Sequence, residues 1–284
     1  MIRINNITRG RFGNRILQYN SLMQISKQSG LEASCGDWEG RKIFSGILQD
    51  KPSANEQKQL SWTDVIHGSI NELPNDVDFT IDDPAYCLHN VFFKVTHSDP
   101  RDFFKINDEY GVELDENKTN VGIHFRGTDI LGGDGNNGRE IHEPEYYINS
   151  VRAVEKEFDN THYYLCTDDM NFVSFVNTYT FLRDNGINFS IGDTNNFVLD
   201  FSLLSECDVL ISSSSTFVIC AGFIGKKDKK IIHSKEWIDK NLKHELWNSK
   251  PTTQEARDLQ LSFDNFWVEV NSGGGEYYKP WRIL

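Results

Sequence analysis

Val121-Gly-Ile-His-Phe-Arg-Gly-Thr-Asp129 is the most informative segment for the fold. Apolar and polar side chains alternate along it, which predicts a strand that ends near Arg126. His124 and Arg126 are two residues apart, so both side chains project from the same face as the strand ends. The residues at 144–158 carry apolar side chains at helical spacing behind Pro144, which predicts an amphipathic helix.

The same succession of strand and helix continues to residue 233. Further strands are predicted at 163–166, 187–191, 209–211 and 230–233, and further helices at 172–182, 197–207 and 216–224. Five strands alternating with four helices predict a parallel sheet with crossover helices. Ligands of such sheets bind at the carboxyl ends of the strands. Three polar segments fall at these ends, at 124–129, 167–169 and 212–216.

The N-terminal part of the chain is less regular. Apolar residues at 2–7 precede the glycines Gly10 and Gly13, and a helical pattern then runs to Gly30. This order predicts a strand, a glycine turn and a helix. Residues 36–120 contain apolar islands between polar segments, and we predict helices and loops there.

The composition excludes several classes of protein. Lys and Arg number 29 against 42 Asp and Glu, and the net charge of −13 repels polyphosphate backbones, so we expect no nucleic-acid partner. The 5 cysteines show no CxxC spacing, which argues against a disulfide framework or a zinc site and favours a reducing compartment. No signal peptide is visible, and the longest apolar run, 217–224, is too short to cross a bilayer. We therefore expect a cytoplasmic protein that is at most peripheral to a membrane.

Two segments have the chemistry of an anion site. The guanidinium of Arg126 offers paired donors to a phosphate and stays charged at any working pH. The alternative is an ion pair between Arg126 and Asp129 that only fixes a turn. The run Ser212-Ser-Ser-Ser-Thr216 lies between a strand and a helix, where hydroxyls and free amide hydrogens bind anions. A serine-rich helix cap is the alternative, and it is compatible with phosphate binding.

Two other segments resemble motifs without their structural context. Gly133-Asp-Gly-Asn-Asn-Gly138 matches GxGxxG, but the next helix begins only near Pro144, so a glycine loop is favoured over a dinucleotide site. Asp168 and Asp169 could bind a metal ion as a carboxylate pair. Adjacent aspartates at a strand end more often close a turn, and we expect no metal site.

Four motifs resemble those of one enzyme superfamily. Gly10-Arg-Phe-Gly-Asn-Arg-Ile-Leu-Gln-Tyr19 resembles the GxLGNQxFQY motif of bacterial α-1,2-fucosyltransferases. His124-Phe-Arg-Gly-Thr-Asp129 resembles the HxRRxD motif of the α-1,2-, α-1,6- and protein O-fucosyltransferases. Tyr164-Leu-Cys-Thr-Asp-Asp169 resembles the ATDDP segment of the α-1,6 branch. Asp200-Phe-Ser-Leu-Leu-Ser-Glu-Cys-Asp208 followed by Ser214-Ser-Thr-Phe217 resembles DLxLMSxC…NSSFSWW.

The resemblance implies an α/β protein of the GT-B class, with two Rossmann-like domains facing across a cleft. Residues 1–118 would form the acceptor-side domain and residues 119–284 the GDP-sugar-binding domain, with a tail that packs back on the first. The family transfers L-fucose from GDP-β-L-fucose to a hydroxyl of a glycan acceptor, with inversion. It needs no metal and no cofactor besides the donor substrate. The linkage would be α-1,2 or α-1,6.

The resemblance also implies a role for each matching residue. Arg126 would bind the diphosphate and stabilise the leaving GDP. Donor contacts are expected from Gly13, Asn14, His124, Asp200, Ser214, Ser215 and Thr216, of which His124 and Asp200 would contact the guanosine. The general base for the acceptor hydroxyl is expected to be Glu140 or Asp129, with Asp134 as a further candidate. His142 is also a candidate, although a histidine in a surface loop is more often without a role.

The sequence departs from the family pattern in three places. Gly127 replaces the second arginine of HxRRxD, Ile130 replaces a lysine, and Val218 and Ile219 replace paired tryptophans. Three alternatives to a fucosyltransferase therefore stay open. They are a GT-B transferase for another nucleotide sugar, a sugar-nucleotide- or glycan-binding relative without turnover, and, as a distant third, an NAD-dependent enzyme.

Overall fold

A computed structural model describes residues 1–7, 10–52, 55–60, 73–81, 98–128, 141–193 and 195–234, together with the backbone of 267–270. The chain divides into two compact units. The first comprises Met1–Asn107 and Glu245–Leu261, and the second comprises Asp108–His244 and Ser262–Leu284. The assignment of 1–118 to the acceptor and 119–284 to the donor stays a prediction. The tail at 271–284 lies outside the described residues.

The first unit is built on a parallel sheet. Its elements are β1 (Ile2–Ile4), α1 (Phe12–Ser29), β2 (Ala33–Cys35), α2 (Gly40–Ile43), β3 (Phe44–Ser45), β4 (Gln57–Leu60), β5 (Asp78–Ile81) and β6 (Lys105–Ile106). The strand order is β2-β1-β5-β4, with every pair parallel, and β3 pairs with β6 in a separate antiparallel ribbon. The predicted strand, glycine turn and helix at the N-terminus are confirmed by β1 and α1.

The expectation of helices and loops at 36–120 is wrong where the short strands β3 and β6 and the longer strands β4 and β5 lie. β4 is an edge strand whose residues Gln57-Lys-Gln-Leu60 are mostly exposed, so it has no apolar alternation to reveal it. β5 is buried but only four residues long, which is too short for a periodic signal.

The second unit alternates strands and helices as predicted. Its elements are β7 (Thr119–Phe125), α3 (Pro144–Glu157), β8 (Thr161–Thr167), α4 (Val173–Asp184), β9 (Phe189–Ile191), α5 (Phe197–Glu206), β10 (Val209–Ile211), α6 (Thr216–Ile224), β11 (Lys230–Ser234) and β12 (Trp267–Val270). The strand order is β12-β11-β10-β7-β8-β9, and all pairs are parallel. The strand β12 is an addition that the sequence pattern did not predict.

The two faces of β7 meet different helices. Phe125 packs against Tyr147 of α3, with ring centroids 4.4 Å apart, and against Phe175 of α4 at 5.4 Å. On the opposite face, a side chain at Gly122 would collide with Leu204 of α5. Because side chains alternate along a strand, His124 and Arg126 project toward α5 and α6. The described part of the chain contains no helix that is long and apolar enough to cross a membrane.

Candidate functional site

The candidate site lies where the strand order of the second unit reverses. From β7 the chain passes outward through β8 to β9 and then returns to β10, which pairs with the other edge of β7. In parallel α/β sheets, such a switch point opens a crevice at the carboxyl ends of the two strands. Arg126 follows β7 directly, and the segment Ser212–Ser215 follows β10. The topology therefore brings the two predicted anion-binding segments together.

His124 is held within this site. Its Nδ1 lies 2.6 Å from Ser213 Oγ, and its ring stacks on Phe217 with centroids 5.2 Å apart. The side chain is buried, and burial together with the nearby charge of Arg126 lowers its pKa to about 3. His124 is therefore a neutral imidazole at working pH, able to hydrogen-bond but not to supply charge.

Arg126 is anchored on the start of α6. Its Nη1 donates to Ser215 Oγ at 2.9 Å, and the same oxygen accepts from the backbone N–H of Phe217 at 3.3 Å as the helix N-cap. The guanidinium is half-buried. A fixed cation beside the positive end of a helix macrodipole creates a local potential that favours an anion. Arg126 is thus bonded to a serine of the other motif, which joins the two predicted anion-binding segments.

The serine segment differs in exposure from residue to residue. Ser212, Ser213 and Ser215 are buried, whereas Ser214 and Thr216 are half-buried. The buried hydroxyls have partners within the protein, since Ser212 Oγ donates to Ser213 O and Ser215 Oγ caps α6. The capping role is confirmed at Ser215, and Ser214 and Thr216 are the residues of this run that stay partly exposed.

Asp168 closes the turn that follows Arg126. Its carboxylate accepts hydrogen bonds from the backbone N–H of Gly127 at 2.7 Å, and from the N–H and Oγ1 of Thr128 at 3.3 and 2.7 Å. Burial alone would raise the pKa of Asp168, but these hydrogen bonds outweigh it and hold the pKa below its usual value. Asp169 likewise accepts from Asn171 N within its own turn. Both aspartates therefore close turns, as predicted.

The space around Gly127 explains the missing arginine. A Cβ at this position would lie 3.0 Å from the Cβ atoms of both Asp169 and Phe172, which is tighter than ordinary contact. Asp169 and Phe172 would have to shift to admit a side chain at this position.

Restoration of the family residue should therefore harm the protein. We expect Gly127→Arg to lower the free energy of unfolding by about 1–3 kcal/mol through overpacking, without raising turnover, as measured by urea denaturation and a transfer assay. Gly127→Ala, which adds only a Cβ, should have a smaller effect of the same sign. A stable Gly127→Arg variant that turns over faster than wild type would show that the space argument is wrong.

Asp200 lies near the ends of the neighbouring strands. It belongs to the first turn of α5, and its Oδ1 lies so close to Gly192 that a Cβ there would come within 2.3 Å. The carboxyl is buried, and burial raises its pKa to about 7, although the Cys166 thiol and the Asp193 amide act in the opposite direction. Phe201 of the same helix packs edge-on against Phe217 at 5.3 Å, which links Asp200 to the His124 side of the site.

Gly13 and Asn14 lie at the start of α1 in the first unit. Gly10 precedes them with a φ of +75°, and a Cβ on it would collide with the Asn14 side chain, so glycine is required there on both counts. Arg15 holds this turn, because its Nε donates to Gly10 O and its Nη1 forms an ion pair with Glu39.

Several predicted features lie outside the described residues. They are Asp129, Asp134, Glu140 and the glycine loop at 133–138. Among the residues that are described, no group of three or more His, Cys, Asp or Glu side chains could hold a metal ion.

The structure assigns His142 a different environment from the one expected. It is buried rather than on a surface loop, and its Nε2 lies 3.2 Å from Ser214 Oγ. Tyr146, in the first turn of α3, donates from its hydroxyl to Ser212 O at 2.8 Å. Neither contact was predicted, since only the fold brings α3 against the segment after β10. The position of a histidine just before an amphipathic helix is the one local signal.

The fold is similar to that of known fucosyltransferases. The crystal structure of POFUT1 in complex with GDP-fucose superposes with a TM-score of 0.53 at 9% identity, covering 81% of this chain and 97% of that one. POFUT1 in complex with GDP gives a TM-score of 0.52 at 10% identity, with 81% and 97% covered. At this identity the likeness concerns the fold alone, and with the parallel α/β units it confirms the predicted α/β, GT-B class. No curated protein sequence matches the chain.

The sequence also matches a family profile. The profile of glycosyl transferase family 11 covers residues 83–252, which is more than half of the chain. The matched range contains the three motifs that meet at the switch point, those of Arg126, Asp168 and Ser215. The chain therefore belongs to glycosyl transferase family 11, which confirms the predicted membership of the fucosyltransferase superfamily and the predicted class of enzyme, a glycosyltransferase.

Proposed function

We propose that the protein is an inverting fucosyltransferase that moves L-fucose from GDP-β-L-fucose to a hydroxyl of a glycan acceptor. One observation carries the proposal: the guanidinium of Arg126 is fixed on the N-cap of α6 at the switch point of the sheet. A cation joined to a helix start suits a diphosphate. The similar structure of POFUT1 was solved with GDP-fucose, which supports this donor.

The proposed chemistry follows from the charges of the reaction. Cleavage of the anomeric C–O bond leaves negative charge on GDP and positive charge on the sugar ring. Donors that are already oriented toward the departing phosphate stabilise that charge without reorganisation. In our proposal Arg126, Ser214, Thr216 and the first amides of α6 do this, and Ser215 orients Arg126.

The guanosine is proposed to lie beside His124 and Asp200. Guanine presents N–H donors that a carboxylate can accept, and the buried carboxyl of Asp200 offers such an acceptor once it is ionised. From the first unit, Gly13 and Asn14 are proposed to contact the donor. Glu140 and Asp129 remain our candidates for the general base. The linkage that we propose for the product is α-1,2 or α-1,6.

The cytoplasm is the compartment we propose. The described cysteines are all buried and present as thiols, namely Cys35, Cys166, Cys207 and Cys220, which suits a reducing environment.

A nucleotide panel tests the donor. We expect GDP to raise the Tm of the protein by several degrees at saturating concentration, and UDP and ADP to have little effect. Without acceptor, GDP should be released slowly from GDP-fucose by hydrolysis. With galactose- or GlcNAc-terminated glycans, GDP should be released faster, by transfer. Both reactions should continue in excess EDTA. Stronger protection by UDP would favour another nucleotide sugar. GDP binding without release of GDP on any acceptor would favour a binding protein, and a strict need for a divalent ion would revive a metal role for Asp168 and Asp169.

A further inference from the structure

Two side chains at the start of α3 contact the serine segment Ser212–Ser215. The hydroxyl of Tyr146 donates to Ser212 O at 2.8 Å and is 3.1 Å from Ile232 O on β11. His142, two residues before the helix, has its Nε2 3.2 Å from Ser214 Oγ. The serine segment is thus held from α3 as well as from β7.

The contacts alternate along the segment. Ser213 bonds to His124 on β7, and Ser215 bonds to Arg126, the residue directly after β7. Ser212 and Ser214 are contacted from the other side, Ser212 at its carbonyl oxygen by Tyr146 of α3 and Ser214 at its Oγ by His142. The segment bends at Ser214, where the N–H of Ser215 donates to Ser213 O at 2.7 Å, and it is contacted on both sides of this bend. The geometry of its hydroxyls and amides is therefore fixed before any ligand binds.

His142 is itself rigidly placed. Its side chain is 2% exposed, its ring lies 4.4 Å from that of Tyr146, and its carbonyl accepts a hydrogen bond from Ser174 Oγ at 2.7 Å. Burial of an imidazole is costly compared with burial of an apolar ring. Packing alone gives no reason for a histidine here, whereas a polar contact to Ser214 does.

Ser214 is the member of the segment that is not buried. A hydroxyl has one proton to donate and two lone pairs that accept. A phosphate oxygen can only accept, so Ser214 can bind it only if its proton is not already used. An N–H at Nε2 of His142 would occupy a lone pair of Ser214 and leave that proton for the ligand.

We propose that His142 is a positioning residue for the donor phosphate. Its Nε2 donates to Ser214 Oγ and directs the hydroxyl proton of Ser214 toward the diphosphate of the bound nucleotide. This inference rests on the proposed function, because the nucleotide is the ligand of that function.

Two substitutions of His142 separate the hydrogen bond from packing. His142→Asn withdraws the donor from the Nε2 position, whereas His142→Gln places an amide nitrogen near it. We expect His142→Asn to raise the Kd of GDP about tenfold, the lower end of the effect of a lost hydrogen bond to a charged group. His142→Gln should stay within about threefold of wild type. Isothermal titration calorimetry gives the Kd.

A second variant and a matched control complete the design. Ser214→Ala should weaken GDP binding as much as His142→Asn, and the double variant should be no weaker than either. His162 is the control, because its Nε2 also contacts a serine, Ser190 Oγ at 2.9 Å, but between β8 and β9. His162→Asn should leave the Kd of GDP unchanged.

Hydrogen exchange without nucleotide tests the positioning by itself. We expect His142→Asn, but not His162→Asn, to speed amide exchange in a peptide covering 209–217. Unchanged exchange and unchanged Kd in His142→Asn would overturn the inference, as would equal weakening by Asn and Gln or additive effects with Ser214→Ala. If wild-type protein does not bind GDP, the proposed function is wrong, and so is the diphosphate as the ligand of Ser214. Faster exchange in His142→Asn would then still show that His142 positions the segment.

Discussion

Replacement of Arg126 by alanine is expected to lower kcat for fucosyl transfer by at least about 10²–10³-fold, the usual cost of losing one oriented donor to a developing anion. The guanidinium bonds to the N-cap oxygen of α6 and would face the diphosphate as negative charge grows on it. Its loss leaves the cap in place, because Ser215 still accepts from Phe217 N. The Tm should therefore change little.

Two further variants show whether that loss of activity is specific to the guanidinium of Arg126. Arg126→Lys keeps the charge but not the planar pair of donors, so we expect partial activity between wild type and Arg126→Ala. Arg152 is an exposed arginine on α3 whose Nη1 bonds to Asn149 at 3.2 Å, and Arg152→Ala should turn over like wild type. Near-normal turnover of Arg126→Ala would remove this residue from the phosphate site.

Replacement of Asp200 by asparagine is expected to weaken GDP binding about 10–10²-fold at pH 8. A hydrogen bond that involves a charged group contributes about 1.5–3 kcal/mol, and the amide of asparagine can accept only one of the guanine donors with its single oxygen. Calorimetric titration with GDP measures the change. Asp184→Asn, at an exposed carboxylate at the end of α4, is the control and should bind like wild type.

The raised pKa of Asp200 adds a pH dependence to that result. Burial raises this pKa to about 7, and hydrogen bonds from guanine favour the ionised form. GDP therefore lowers the pKa, and its affinity should rise as the pH increases from about 5.5 through 7 and then level off. Asp200→Asn should bind with little change over this range. If the affinity of wild-type protein for GDP is constant or falls between pH 6 and pH 8, Asp200 does not bind the guanine in its ionised form.

The same shift affects stability without nucleotide. The folded pKa of about 7 lies above the usual value of 3.8, so between these pH values the unfolded chain loses the proton while the folded one keeps it. The free energy of unfolding should fall as the pH rises from about 4 to 7. The slope should be shallower in Asp200→Asn.

The architecture of the second unit could be predicted from the sequence because its elements carry strong local signals. β7 is bounded by polar residues and has two distinct faces, and α3 begins at Pro144 with apolar side chains on one side. Every predicted strand and helix of this unit lies within about two residues of the observed one. In the first unit the polar edge strand β4 gives no such signal, because its environment is set by the neighbouring β5.

The candidate site was predicted in part. Arg126, His124 and the serine segment could be assigned because parallel strands place their carboxyl ends at one edge of the sheet. The burial of His142 and its contact with Ser214 could not, since 72 residues separate the two along the chain. The hydrogen bond from Gly127 N to Asp168 could not be predicted either, because 41 residues separate these two positions. Such contacts depend on how helices cross the sheet, which local patterns do not encode.

A crystal structure of the protein with GDP is the most direct test of the central claim. The diphosphate should lie within about 3 Å of the Arg126 guanidinium and at the amides and hydroxyls that begin α6, with the guanine beside Asp200. A diphosphate bound elsewhere, with no phosphate oxygen in hydrogen-bonding distance of Arg126, would contradict the account.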